Sequence, residues 1–304
     1  MSIQRINQVQ QCFTSNAVNS TRNSSVPINA EPKNLKTKTA VMLGLTALGT
    51  VGVAIVAIRH GKARKVLKEL PDNFKAIFND IKFLEGEEFV NEAYVKLVKE
   101  MNLEGIAPAK IEIFSAQKGT FGELMGGYNC VDNKLEISES LLKLSKSSQL
   151  DVIAHELKHC EQMTRILRTE GLGAEALARA EARSGVINSF NGAIFDGGYR
   201  EAREAGKLEE FIKPHVDKLT EKCLEKINKN HSKVLQLPKI KLDSVEGKKA
   251  TEHLKAIENY DIGNTVFFGP MYNKEYQNNI VEVEAREFGG KIRKMFEDYL
   301  SVTK

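Results

Sequence analysis

The chain has 304 residues, which is enough for one catalytic domain of ordinary size together with additional segments. Apolar residues make up 41% and charged residues 28% of it, which excludes a fully disordered chain. The 44 basic and 40 acidic residues leave a net charge of only +4, and no nucleic-acid-binding motif occurs, so nucleic acid is not an expected partner. The four cysteines are irregularly spaced, which indicates free thiols rather than a disulfide framework or a thiol zinc site.

The N-terminal part of the chain divides into a polar tail and an apolar stretch. Residues 1–38 are rich in Asn, Ser, Gln and Thr, so we expect a disordered tail. Residues 39–58 carry no charge, and a helix of that length reaches about 30 Å, the thickness of a bilayer's hydrocarbon core. We therefore predict a single transmembrane helix at residues 39–58, with a buried soluble helix and a cleaved signal peptide as alternatives.

Basic residues flank the apolar stretch unequally. Three lysines precede it, and five basic residues follow it: Arg59, Lys62, Arg64, Lys65 and Lys68. Positively charged flanks tend to stay in the cytoplasm, so the excess after the stretch favours a cytoplasmic catalytic domain. The sequence thus predicts a single-pass membrane protein whose domain lies on the cytoplasmic side.

Helical spacing of apolar residues predicts a helical stem at residues 59–105. Pro71 and the acidic residue after it mark the start of a new helix there. Apolar residues such as Phe74 and Ile77 then recur on one helix face. The stem leads into a domain at residues 106–304, which we predict to be α+β and mostly helical.

Two short strands are predicted at the beginning of this domain. Alternating apolar side chains indicate strands at Lys110–Ser115 and Lys134–Ser138. Turn residues are frequent between them, so we predict a loop that includes residues 126–129. Helices dominate from Leu141 onward, with a helical insertion at about residues 170–270.

A motif with metal-binding spacing lies in the first long helix of the domain. Ser148 opens a capping box, so this helix is predicted to begin there. The motif HELKH follows at residues 155–159, and the rings of His155 and His159 leave the same helix face because they are four residues apart. Two such imidazoles can share a zinc ion, and Glu156 is placed to act as the general base that takes a proton from water. The alternative is a chance match on a surface helix.

The order strand, loop, strand and HExxH helix resembles the upper half of the zincin metallopeptidases. The metzincin branch requires Gly at position 162 and His at position 165, and Gln162 and Arg165 exclude it. The gluzincin branch takes its third ligand, a glutamate, from a later helix. In zincins the strand before the motif helix lies beside the extended substrate, which implies that role for Leu135–Ser138 as a sheet edge.

A later helix contains the expected third ligand. Glu282 is followed by Ala285 at +3 and Gly289 at +7, which resembles the ExxAxxxG pattern of membrane-bound and related gluzincins. Small residues on that face would let this helix approach the HELKH helix closely. The resemblance therefore implies zinc ligation by Glu282 and the two motif histidines. Glu284 is the rival ligand, because it lies similarly far from the centre of the apolar face.

Several residues near these motifs have plainer interpretations. Gluzincins often have Asp or Asn at the position of Arg286 to support a metal-bound histidine, so that support must come from elsewhere in this chain. Cys160 is expected to be a packing residue. Tyr276 is expected to pack, with oxyanion stabilisation as its alternative role. Three further histidines lie among Lys and Glu and are predicted to be solvated: His215, His231 and His253.

The sequence therefore predicts a membrane-anchored, zinc-dependent endopeptidase acting on a peptide or protein substrate. Its cofactor would be Zn²⁺, and Glu156 would be its catalytic general base. Three alternatives stay open. The first is a zincin-like protein that binds peptides without cutting them. The second is a membrane-tethered interaction protein that uses its helical insertion as the binding surface. The third is a zinc hydrolase acting on a non-peptide bond.

Overall fold

A computed structural model describes residues 68–115, 125–191, 197–259 and 277–303. Over these residues the chain is mostly helical with one small three-stranded sheet, so the predicted α+β, mostly helical class is confirmed. The predicted tail and transmembrane helix at 1–58, and Tyr276, lie outside the described residues. Within the described ranges, none of the helices combines the length and apolarity needed to cross a bilayer.

The secondary structure elements follow one another from Asp72 to Thr303. The helices are α1 (Asp72–Ile81), α2 (Gly86–Glu100), α3 (Lys146–Arg168), α4 (Gly173–Asn191), α5 (Gly197–Glu204), α6 (Leu208–Asn230), α7 (Ser232–Leu235), α8 (Val245–Glu258) and α9 (Ile280–Thr303). The strands are β1 (Ile111–Phe114), β2 (Gly126–Asn129) and β3 (Lys134–Ser138). One turn of 3-10 helix, Leu141–Lys143, precedes α3.

The described residues form two compact units. The larger comprises Asp80–Lys294 and contains the sheet, and the smaller comprises residues 68–79 and 295–303. In the smaller unit the ring of Phe78 packs edge-on against Phe296, with centroids 5.1 Å apart, and both side chains are fully buried. Burying one such side chain stabilises a fold by about 1.5–3 kcal/mol.

The sheet corrects two predictions about the strands. Its order is β1-β3-β2, with β1 parallel and β2 antiparallel to β3. The strand β2 occupies the predicted loop, because the turn before Lys134 closes a hairpin in which Asn133 adopts φ 47°. The predicted substrate edge, Leu135–Ser138, is wrong for the same reason. It lies in the central strand, whose backbone is paired on both sides, and the edge next to it is β2.

Helix α3 begins earlier than the capping box predicted. Ser145 is its N-cap, and the Ser145 hydroxyl accepts a hydrogen bond from the backbone N–H of Ser148 at 3.2 Å. Ser148 is thus inside the first turn rather than at the cap. Gln149 reinforces this start, since its amide donates to the carbonyl groups of Leu142 and Leu144. Several serines in a row offer alternative caps, and the sequence alone did not separate them.

Helix α3 is the centre of the larger unit. It contacts α2, α4, α8 and strand β2, and its residues from Val152 to Leu157 are all buried. Helices α4 and α6 pack against each other beside it, around a cluster in which Phe190 stacks on Tyr199 with centroids 5.4 Å apart. The HELKH motif therefore lies inside the protein rather than on a surface helix.

Two of the three histidines predicted to be solvated are buried. His231 is 2% exposed, and its Nε2–H donates to the carbonyl of Cys130 after strand β2. His253 is 0% exposed, because it shares a face of α8 with the buried residues Ala250 and Ile257. The prediction for His215 is confirmed, since it is exposed on α6.

Candidate metal centre

The two histidines of the HELKH motif face each other on α3. Their Nε2 atoms are 3.0 Å apart, and their rings meet edge to face with centroids 4.7 Å apart. His155 and His159 are each 1% exposed. The i, i+4 spacing on a regular helix thus directs two imidazole nitrogens to one point, as the sequence predicted.

Glu282 brings a carboxylate to the same point from α9. Its Oε2 lies 3.5 Å from Nε2 of His155, and its Oε1 lies 3.6 Å from Nε2 of His159. The Glu282 side chain is 0% exposed. Ligand atoms of all three residues lie within 4.8 Å of one another, so this buried group could hold a metal ion.

The distances between the donor atoms fit one small tetrahedral ion. Nitrogen and oxygen ligands at about 2.0–2.1 Å from a tetrahedral zinc ion are about 3.3–3.4 Å apart. The observed separations of 3.0, 3.5 and 3.6 Å lie on both sides of that value. Two imidazoles and one carboxylate are also a donor set found at catalytic zinc sites, where the fourth position stays open.

Gln162 determines which nitrogen of His159 carries the proton. Its Nε2 donates to the backbone carbonyl of Val281 at 3.0 Å, and a carbonyl oxygen can only accept. The other end of the amide, Oε1, therefore faces Nδ1 of His159 at 3.0 Å and accepts its proton. His159 is then the tautomer whose Nε2 lone pair points toward His155 and Glu282. Gln162 supplies the support that Arg286 does not.

The two histidines have opposite pKa shifts. Burial lowers the pKa of His155, but the nearby carboxylates of Glu282 and Glu156 outweigh burial and raise the pKa above the ordinary value. Burial dominates at His159 and, despite the attraction of Glu282, lowers its pKa to about 4. His159 is therefore neutral near pH 7, which is the form that binds a metal ion.

Helix α9 approaches α3 at a glycine. A Cβ atom added to Gly289 would lie 2.6 Å from the backbone oxygen of Asp151, closer than real Cβ contacts. Ala285, one turn earlier, is fully buried. The prediction that small residues on this face allow a close approach is confirmed, and the approach brings Glu282 to the histidines.

Glu156 lies one residue after His155 and beneath strand β2. It is fully buried on α3. A Cβ atom added to Gly126 of β2 would be 2.8 Å from Cγ1 of Val152 and 3.6 Å from Cγ of Glu156. Glycine at this position lets the edge strand of the sheet run directly beside the predicted general base.

The rival ligand Glu284 faces other partners. Its carboxylate lies 2.9 Å from Nζ of Lys249 and 3.2 Å from Nε2 of His253, both on α8. Burial raises the pKa of Glu284, but Lys249 and His253 outweigh burial and the net shift is downward. Glu284 is not a member of the group that could hold a metal ion.

Sequence reasoning missed the part that α8 plays at this site. The signal was present, because Gly247, Ala250, His253 and Ile257 recur at helical spacing and are all buried. The surrounding lysines and glutamates obscured that stripe.

Comparison of the chain with protein-family models, with curated proteins and with solved structures finds no match.

Proposed function

We propose that this chain is a zinc-dependent endopeptidase that uses Glu156 as its general base. One observation carries the proposal: Nε2 of His155, Nε2 of His159 and the carboxylate of Glu282 converge in a buried group, with Glu156 on the same helix. Among divalent metals, two imidazoles with one carboxylate suit zinc in a hydrolytic site. The gluzincin resemblance of the sequence agrees with this donor set.

The chemistry follows from where the side chains lie. A zinc ion bound by the three ligands would polarise the scissile carbonyl and lower the pKa of a water molecule. Glu156 would act as the general base that accepts the proton of the attacking water. The same carboxyl group then gives the proton to the leaving amine, so that one water is consumed for each peptide bond cut.

Strand β2 favours an extended peptide as the substrate. Among the described residues, β2 has a strand partner on one side only, and Gly126 runs beside Glu156. An extended chain that pairs with such an edge gains main-chain hydrogen bonds and lies next to the base. A substrate without a peptide backbone would lack those bonds. The stretch at residues 39–58 stays a predicted membrane span, and it would restrict the enzyme to substrates near a membrane.

Cleavage of casein by the purified full-length chain with Zn²⁺ tests this proposal. Glu156→Gln keeps the size of the side chain but cannot take the water's proton. We expect it to retain zinc and to cut at least about 100-fold more slowly, because general-base assistance contributes about 10²–10⁴-fold. Glu161→Gln is the matched control on the same helix, and it should leave cleavage unchanged because Glu161 pairs with Lys158 and Arg165 instead.

Two results would contradict the proposal in different ways. Equal cleavage by the wild type and Glu156→Gln would show that HELKH is not the catalytic centre. A wild type that binds zinc and an unfolded peptide but cuts neither casein nor any other unfolded protein would indicate a peptide-binding zincin-like protein.

A further inference from the structure

Glu284 joins three helices although it is outside the group of metal ligands. It lies two residues after Glu282 on α9, and its carboxylate contacts Lys249 and His253 of α8 at 2.9 and 3.2 Å. On the side of α3 it accepts a hydrogen bond from the amide of Gln162 at 3.4 Å. Its side chain is only 16% exposed, so these contacts are largely shielded from water.

The contact with Gln162 links Glu284 to a metal ligand. The Gln162 amide nitrogen lies between two acceptors on α9, the backbone oxygen of Val281 and the carboxylate of Glu284. Both keep that nitrogen turned toward α9, so Oε1 stays turned toward Nδ1 of His159. If the amide rotated, its NH₂ group would face Nδ1 and favour the tautomer whose Nε2 carries a proton and cannot bind metal.

Helix α8 is itself fixed to the motif helix. Near its beginning, Glu246 pairs with Arg165 of α3, with Nε and Oε2 2.6 Å apart. Two turns later, His253 is fully buried and reaches Glu284. A helix held on α3 at one point and on α9 at another limits how α9 can rotate about its axis. Rotation of α9 about its axis would carry the Glu282 carboxylate away from the histidines, because a side chain turns with its helix.

We propose that Glu284 is a positioning residue for the metal centre, held by Lys249 of α8, with the buried ring of His253 packed beside it. It fixes the rotation of the helix that carries Glu282, and it holds the Gln162 amide that orients His159. Helix α8, which lies between the HELKH motif and the third ligand in the sequence, thus becomes part of the metal site's support. This inference rests on the proposed metal centre and adds the residues that keep its ligands in place.

Zinc affinity of the full-length chain, measured by competition with a chromophoric chelator, tests this role. Loss of a residue that supports metal ligands costs about 10–100-fold in metal affinity, so Glu284→Ala should weaken zinc binding by that factor. Glu284→Gln keeps one acceptor oxygen, which can serve Lys249 or Gln162 but not both, so it should restore only part of the affinity. Glu287→Ala is the matched control, because Glu287 is an exposed carboxylate of α9 less than one turn further along.

A second pair of variants tests the same role from α8 without altering α9. Lys249→Met removes the ammonium group and keeps an apolar stem, so we expect it to bind zinc more weakly. Lys248→Met is the matched control at an exposed position of α8, and it should bind zinc as the wild type does. The visible absorption of the cobalt(II)-loaded chain should change in Glu284→Ala and Lys249→Met, because it reports ligand geometry rather than stability.

The outcomes separate this inference from the proposed function. If the wild type binds zinc while Glu284→Ala and Lys249→Met keep its affinity and its cobalt spectrum, the positioning role is wrong and the metal centre stands. If the wild type binds no zinc, both fail. Weaker binding in Glu287→Ala to the same extent as in Glu284→Ala would also overturn the positioning role, since any loss of charge from α9 would then suffice.

Discussion

At the scale of single residues, His231 shows what burial does to an ionisable group remote from the metal ligands. Burial lowers its pKa, although the hydrogen bond to the Cys130 carbonyl partly opposes the shift. The folded chain therefore binds this proton less readily than the unfolded chain. Its contribution to stability is complete above the unfolded pKa of about 6.5 and is lost as the pH falls below that value.

Replacing His231 should make the fold less sensitive to acid. His231→Gln keeps a donor for the Cys130 carbonyl but removes the titrating ring, so the unfolding temperature of the metal-free chain should fall less steeply between about pH 7 and pH 5. His215→Gln is the matched control, because it removes a histidine from an exposed site. Identical slopes for the wild type and His231→Gln would contradict this account of the buried ring.

The third ligand marks the limit of what residue patterns could predict. The histidine pair follows from a local spacing of four residues, and the structure brings its two nitrogens together as predicted. The choice between Glu282 and Glu284 depends on how α9 is rotated, and contacts such as that between Gln162 and Val281, 119 residues apart, fix that rotation. Periodicity within α9 carried no information about partners on α3 and α8.

At the scale of elements, the sequence predicted the types of the long elements better than their ends and neighbours. The α3 helix and the strand Lys134–Ser138 were predicted, but β2 was not, because GGYN has no alternating apolar pattern. Strand β2 pairs with β3, and the close approach of Val152 requires glycine at position 126. Strand order depends on pairing between distant residues, so the sequence placed Leu135–Ser138 at the edge of the sheet although it lies in the central strand.

The contact between α9 and α3 gives a prediction at this scale. Gly289→Ala places a methyl group against the Asp151 backbone and should destabilise the fold by about 1–3 kcal/mol, because a well-packed contact tolerates extra volume poorly. Since α9 must then move, zinc binding should weaken as well. Chemical denaturation of the metal-free chain and chelator competition measure the two effects.

Gly290→Ala is the control for that substitution. A Cβ atom at Gly290 meets nothing within 4 Å, so alanine there should be neutral or should stabilise the helix by about 0.5–1 kcal/mol. Equal behaviour of the two alanine variants would mean that α9 does not depend on Gly289 for its position against α3.

At the scale of the whole molecule, the site combines a local motif with distant support. The motif histidines and Glu156 come from one helix, and Glu282 comes from a helix more than a hundred residues later. Helices α4 to α8 lie between them in the described part of the chain, and the sequence left the role of these helices unexplained. Through Lys249 and His253, α8 contacts the carboxylate of Glu284, two residues after Glu282 on α9. The insertion therefore packs against the helix that carries Glu282 as well as forming part of the core.

Metal analysis of the full-length chain tests the central claim most directly. After equilibration with Zn²⁺ and removal of the excess, the wild type should retain about one zinc ion per chain, held by three protein ligands. Glu282→Ala should lose most of it under the same conditions, and Glu287→Ala should match the wild type. A wild type that retains no zinc, or a Glu282→Ala chain that retains as much as the wild type, would contradict the account.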